Sequence, residues 1–232
     1  SWTVAANGAD AFVLEPTQWA DQDSDGFGDN TVGFQADDCP VSPGTSTLDR
    51  FGCGDGDGDG YSTPDGGWSM ANGADACASV SGSSSADRSG CPDDDSDGYS
   101  DPDPSGMNGY VWTVIDGADA FTGNATQWID GDSDTFGDNT SGTFGDSCVG
   151  VTGASNRDRY GCPDTDGDGY SNPDAGWTAA GNGADAFASE PTQWADQDGD
   201  GYGDNPSGVN PDSCSSVHGT SNQLGNLGCP DT

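Results

Sequence analysis

The feature that most constrains this chain is a ten-residue stretch that carries four aspartates, at its first, third, fifth and ninth positions. D-Q-D-S-D-G-F-G-D-N runs from Asp21 to Asn30, D-G-D-S-D-T-F-G-D-N from Asp130 to Asn139, and D-Q-D-G-D-G-Y-G-D-N from Asp196 to Asn205. Two carboxylates about 5 Å apart repel by roughly 0.8 kcal/mol in water, and by more where solvent is excluded. Summed over dozens of close pairs, that exceeds the ~5–15 kcal/mol by which a folded domain is stable. Positive charge must sit among these carboxylates, and the chain supplies little of its own. It has four arginines and no lysine against 39 Asp and two Glu, for a net charge of -37.

A conventional core is also out of reach. Leu and Ile together number six, and only 30% of the residues are hydrophobic. So little aliphatic material with so much charge ordinarily means disorder. Against that stand seven tryptophans and eight cysteines, all in recurring contexts. The preference for Asp over Glu is a second argument, because the shorter arm suits a loop in which a carboxylate turns back on its own backbone. Phosphate binding needs a cationic surface, so nucleic-acid partners are excluded. No run of about 18 apolar residues is present to make a transmembrane helix. Starting at Ser1 without Met or a signal peptide fits a processed or excised segment.

Internal repetition organises the sequence. Trp2, Trp68, Trp112 and Trp177 each precede a G-A-D-A that begins at Gly8, Gly73, Gly117 or Gly183. Three copies continue through T-Q-W into the acidic loop just quoted; a second unit then runs from D-x-C through a Gly/Ser-rich loop to G-C and another acidic loop. This reading gives four repeats: 1–66, a shortened 67–104, 105–175, and 176–232, the last cut inside its final acidic loop. In the short repeat G-A-D-A runs directly into Cys77, which suggests one ancestral unit in which Phe12, Phe121 and Phe187 stand in the place of a cysteine. Both ends fall within a unit. Either the chain is a window on a longer array, or its ends meet neighbouring copies.

D-x-D-x-D-G places alternate carboxylates on one side of a loop, an arrangement suited to calcium, which takes six to eight oxygen ligands. Six copies exist. Asp21/Asp23/Asp25, Asp130/Asp132/Asp134 and Asp196/Asp198/Asp200 are followed at the ninth position by Asp29, Asp138 and Asp204. Asp55/Asp57/Asp59, Asp93/Asp95/Asp97 and Asp164/Asp166/Asp168 have instead an Asp at the eleventh position: Asp65, Asp103 and Asp174. Thr135 alone breaks the glycine rule, and its loop is expected to be looser. An EF-hand is excluded, since no Glu stands at position 12 and Pro64, Pro102 and Pro173 would break a following helix. The missing ligand comes from further along. Asp37, Asp146 and Asp212 each lie 16 residues past the start of their loop, and Asp75, Asp119 and Asp185 are expected to play the same part for the others.

P-T-Q-W-A-D-Q-D-S-D-G-F-G-D-N and D-D-C-P resemble thrombospondin type 3 repeats, and the resemblance spans nearly the whole chain. It implies a chain wrapped around rows of calcium ions with little regular secondary structure, with disulfides tying adjacent units. It also implies that the aspartates named above are ligands. Three features depart from that pattern: Phe in place of Cys in one unit, the added tryptophans, and a longer disulfide loop.

Cys39/Cys53, Cys77/Cys91 and Cys148/Cys162 are 14 apart and Cys214/Cys229 are 15 apart, which makes four local disulfides the natural pairing. Each contributes about 3 kcal/mol on the loop-entropy estimate, and together they point to an extracellular or cell-surface location. Arg50, Arg88 and Arg159 each follow an Asp and are expected to form local salt bridges or caps. Trp19, Trp128 and Trp194 are expected to pack small cores between sites, with sugar stacking as the alternative. Asn124 and Asn139 head N-glycosylation sequons, so glycans join calcium among the expected partners.

The inventory is unpromising for an enzyme. His218 is the only histidine, lysine is absent, and no nucleophile elbow or phosphate-cradling loop appears. The expected fold is irregular, mostly coil with short β segments: an elongated tandem-repeat rod organised around bound calcium, about one ion or more per acidic loop, and local disulfides. The expected function is an extracellular structural rod, a fibre subunit or surface appendage associating head to tail. A calcium-dependent adhesin or glycan-binding stalk is the alternative.

Overall fold

The computed structural model describes residues 9–106 and 110–231; Trp2 and Gly8, which open the first sequence repeat, lie outside the described residues. Among the described residues regular structure amounts to two 3-10 turns, Met70–Asn72 and Val114–Asp116, and one α turn, Ala179–Asn182. All three are written in the sequence in the same way. A Ser or Thr follows the tryptophan and starts the turn, and the first glycine of G-A-D-A ends it in the left-handed region, at φ 104° for Gly73, 111° for Gly117 and 85° for Gly183. Only glycine enters that region without steric cost.

The short β segments appear only as isolated bridges. Gly28–Ala36, Gly137–Gly145 and Gly203–Pro211 are parallel, and Asp103–Trp112 is antiparallel. Strands cannot extend because the aspartates accept bonds from the backbone N–H groups that a ladder would use.

What replaces secondary structure is one hydrogen-bond pattern used six times. The N–H of the ninth loop position donates to the carbonyl just before the first Asp: Asp29 to Ala20, Thr63 to Gly54, Asp101 to Pro92, Asp138 to Ile129, Asn172 to Pro163 and Asp204 to Ala195, at 2.7–3.0 Å. The downstream Asp then donates its N–H to the carbonyl of the eighth position. Asp37 meets Gly28, Asp75 meets Ser62, Asp119 meets Ser100, Asp146 meets Gly137, Asp185 meets Ser171 and Asp212 meets Gly203. Each of these bonds closes one loop and fixes the start of the next unit. The chain separates into two compact units, Ser1–Trp128 and Ile129–Thr232, each with three such loops, and the division falls inside the third sequence repeat.

The interior is small and polar. Its buried apolar residues are cysteines, alanines and Leu227, and beside them lie Gln18, Gln127, Gln193, Ser46, Ser62, Ser84, Ser100, Ser155 and Ser171. Gln18 shows how such groups are satisfied: its amide donates to the carbonyls of Asn30 and Phe34, and its oxygen accepts the Asn30 N–H. The disulfides Cys39–Cys53, Cys77–Cys91, Cys148–Cys162 and Cys214–Cys229 all form, as the spacing predicts. Within each disulfide loop a recurrent glycine lies against the second cysteine's carbonyl. A Cβ on Gly44 would fall 1.9 Å from Cys53 backbone atoms, so no other residue fits there. No helix among the described residues is long and apolar enough to cross a membrane.

Candidate metal centres

Each acidic loop folds its aspartates inward through bonds to its own backbone. The first Asp takes the N–H of the fourth residue on one oxygen and that of the sixth on the other, as in Ser24 and Gly26 to Asp21, Gly58 and Gly60 to Asp55, and Gly199 and Gly201 to Asp196. The fifth position takes the N–H two residues on, as in Phe27 to Asp25 and Tyr202 to Asp200. The sixth residue must then adopt positive φ. Gly26, Gly60, Gly98, Gly169 and Gly201 stand at 91–99°, and Thr135 is held in the same region at 79°.

One oxygen from each Asp of the triads Asp21/Asp23/Asp25, Asp55/Asp57/Asp59, Asp93/Asp95/Asp97, Asp130/Asp132/Asp134 and Asp164/Asp166/Asp168 lies within 4.8 Å of the others. Asp196, Asp198 and Asp200 repeat the same local bonding. The downstream carboxylate completes every cluster. Asp37, Asp75, Asp119, Asp146, Asp185 and Asp212 each turn Oδ1 to the N–H two residues on, at 2.7 Å, while Oδ2 is buried with no hydrogen-bond donor. Five of these six side chains are at most 3% exposed. At the third position Asp23, Asp57, Asp132 and Asp198 have both oxygens buried without a donor. A buried carboxylate oxygen left without a partner costs several kcal/mol unless a proton or cation meets it.

The charge states carry the same message. Burial, reinforced by neighbouring carboxylates, raises the Asp37, Asp119 and Asp185 carboxyls to about 6 and that of Asp75 to about 7. Burial and the flanking aspartates also push Asp23, Asp57, Asp132 and Asp198 upward. A second set of aspartates behaves in the opposite way. Burial disfavours the charge on Asp49 and Asp158, yet the hydroxyls of Ser62 and Ser171, backbone N–H groups and the indoles of Trp68 and Trp177 outweigh it and hold both below the usual range. Asp49 and Asp158 are therefore structural acceptors, whereas the third-position and downstream aspartates bring donorless oxygens into the clusters.

Three expected ligands have partners elsewhere in the chain. Asp65 pairs with Arg50 at 2.9 Å and caps the backbone of Gly67 and Trp68; Asp174 does the same with Arg159 at 2.8 Å and with Gly176 and Trp177. Asp103 takes the Ser105 hydroxyl and the Gly106 N–H in the turn before Trp112. Both oxygens of Asp65 and Asp174, and Oδ1 of Asp103, are committed to the tryptophan turns, where Arg50, Arg88 and Arg159 lie 5.0–5.3 Å from the ring centres of Trp68, Trp112 and Trp177. At the ninth position, Asp29 and Asp138 accept the N–H of Gln22 and Gly131. Asp204 accepts that of Gln197 and keeps Oδ1 buried without a donor. Asp101 occupies the same position in its own loop, also with Oδ1 buried and donorless, and was not foreseen. Counting eight residues on from Asp93, rather than ten, would have found it.

Trp128 and Trp194 stack on Tyr99 and Tyr170 of the preceding loop at 5.2 and 5.3 Å, whereas Trp19 is 56% exposed. The sequon residue Asn124 accepts from the Thr126 N–H and hydroxyl, and Asn139 accepts the Ser141 N–H. Oxygen-only clusters of four or five carboxylates have donor chemistry that could hold a hard divalent cation. The chain matches no known family model, and no curated protein is similar to it in sequence.

Proposed function

We propose that this chain is an extracellular structural protein, a repeat rod stiffened by calcium that serves as a subunit or segment of a fibre or surface appendage. One observation carries the reading. The same carboxylate cluster, with a buried donorless oxygen from the next unit, recurs six times and connects each unit to its successor. A catalytic site is ordinarily single, whereas a device repeated along a chain acts on the whole length. The thrombospondin type 3-like motif and the disulfides support an exported, calcium-rich setting. Identical units suit head-to-tail joining, since a contact of that kind that does not close builds filaments. In this reading the aspartates of the clusters are the calcium ligands, glycans at Asn124 and Asn139 decorate the surface, and the chain performs no catalysis.

Electron microscopy of the native secreted material, in millimolar calcium and after chelation, tests this function. Long uniform filaments that soften or dissolve without calcium are expected. Discrete short particles in calcium would defeat the fibre reading, and filaments indifferent to the chelator would defeat the role given to the acidic loops.

A further inference from the structure

The six clusters are built to one plan but are not chemically equal, and two positions favour the loop that opens at Asp93. The first is the ninth. It is an aspartate in four loops (Asp29, Asp101, Asp138 and Asp204) and a neutral residue in the other two, Thr63 and Asn172. Asn172 is moreover occupied with its own loop, accepting the Thr165 N–H at 3.2 Å and donating to the Thr165 hydroxyl at 2.7 Å.

The fifth position divides the loops differently. Where a disulfide loop follows, its recurrent glycine donates an N–H to the second oxygen of this aspartate: Gly44 to Asp25, Gly82 to Asp59, Gly153 to Asp134 and Gly219 to Asp200, at 3.0–3.1 Å. Two loops are followed instead by a unit with phenylalanine in the cysteine's place, Phe121 or Phe187. There no such glycine arrives, and Asp97 and Asp168 keep Oδ2 buried without a donor. A carboxylate oxygen already accepting a hydrogen bond has less electron density to give a cation, and each added charge at an oxygen cage tightens it.

Only one loop has both advantages; against them stands its third position, where Asp95, like Asp166, accepts an N–H on Oδ1 while Asp23, Asp57, Asp132 and Asp198 accept none. Asp93–Asp101 combines a ninth-position carboxylate, whose Oδ1 is buried and donorless, with a fifth-position Oδ2 in the same condition. Asp119 closes the cluster at 1% exposure with its own Oδ2 donorless, and it interacts with the charges of Asp97, Asp95 and Asp101. At the other extreme, the loop opening at Asp55 has a neutral Thr63 and an Asp59 already bonded to Gly82.

We infer that the six loops do not load together: the Asp93–Asp101 loop with Asp119 takes its divalent cation first and releases it last, and the loops opening at Asp55 and Asp164 fill last. This rests on the cation reading of the clusters given above. The tightest loop lies in the first compact unit, between a disulfide-bonded segment and Phe121, where no disulfide loop covers it. Its cation supplies there the cross-link that a cystine supplies elsewhere. The expected separation between the first and last steps is about tenfold to a hundredfold in affinity, on the scale by which ligand charge tunes calcium loops.

Calcium titration of the oxidised full chain, stripped with a chelator and followed by calorimetry with a competing chelator, tests the order. Asp95→Asn is expected to remove the tightest step and Asp57→Asn one of the weakest. Thr63→Asp, which supplies the missing ninth carboxylate, is expected to tighten one weak step by about tenfold. This gain cannot arise from misfolding. Loss of equivalent steps in Asp95→Asn and Asp57→Asn, or no tightening in Thr63→Asp, overturns the order while leaving calcium binding intact. Failure of the unsubstituted chain to take up calcium at all overturns the cation reading itself.

Discussion

Asp75→Asn is the substitution whose effect should depend most on calcium. Asp75 is 1% exposed, and burial beside Asp59, Asp57 and Asp55 raises its carboxyl from 3.8 to about 7. An acid whose pKa rises on folding favours the folded chain while it is protonated. That advantage is lost progressively as the pH climbs from 3.8 to about 7, and at pH 8 the ionised group opposes folding by the full shift. Three units correspond to about 4 kcal/mol. Asparagine is isosteric, keeps an oxygen for the Cys77 N–H, and turns an amide donor toward the carboxylates that lack one. In chelator at pH 8, then, Asp75→Asn should be more stable than the parent by up to about 4 kcal/mol. In millimolar calcium that gain should shrink by about 1.4 kcal/mol for each tenfold by which the site binds more weakly, since one charged ligand is gone. Urea unfolding followed by near-ultraviolet circular dichroism, with and without calcium, reads both arms. A variant destabilised equally in the two conditions would refute the reasoning, because Asp75 would then be an ordinary structural acceptor.

Three further outcomes are expected. Without divalent ions the parent chain should gain stability as the pH falls from 8 to 5, the window set by Asp37, Asp119 and Asp185 at about 6 and Asp75 at about 7, and a urea midpoint that falls on acidification would contradict this. Thr135→Gly should stabilise the chain by about 1 kcal/mol, because a β-branched residue at φ 79° is strained there and the N–H bond to Asp130 is kept; thermal unfolding in calcium measures it. Arg50→Ala removes the Asp65 pair, the Ser62 bond and the Trp68 contact. It should cost about 1–2 kcal/mol with no change in the number of calcium ions bound, counted by equilibrium dialysis.

The loops, the disulfides and the downstream aspartates were legible because all three follow from spacing along the chain. Asp37, Asp146 and Asp212 sit at one fixed offset, and Asp75, Asp119 and Asp185 are marked by G-A-D-A whatever the length of the intervening turn. What spacing hides is competition for a side chain. Asp65 and Asp174 keep perfect register at the eleventh position, yet each is drawn to an arginine 15 residues earlier, and the same register drew attention away from Asp101. Asp49 and Asp158 likewise read as partners of the neighbouring arginine, although it is a serine hydroxyl and an indole further along that hold them. Short strands were expected where only single bridges form, because the aspartates satisfy the N–H groups that pairing would need.

The central claim is that cations hold the acidic loops together. Native mass spectrometry of the oxidised chain, exchanged into volatile buffer at neutral pH from millimolar calcium, counts them directly. The account predicts at least one calcium ion for each of the six loops, all removed by chelator with loss of the near-ultraviolet signal of the stacked tryptophans. A chain that carries no calcium and keeps that signal in chelator would contradict it.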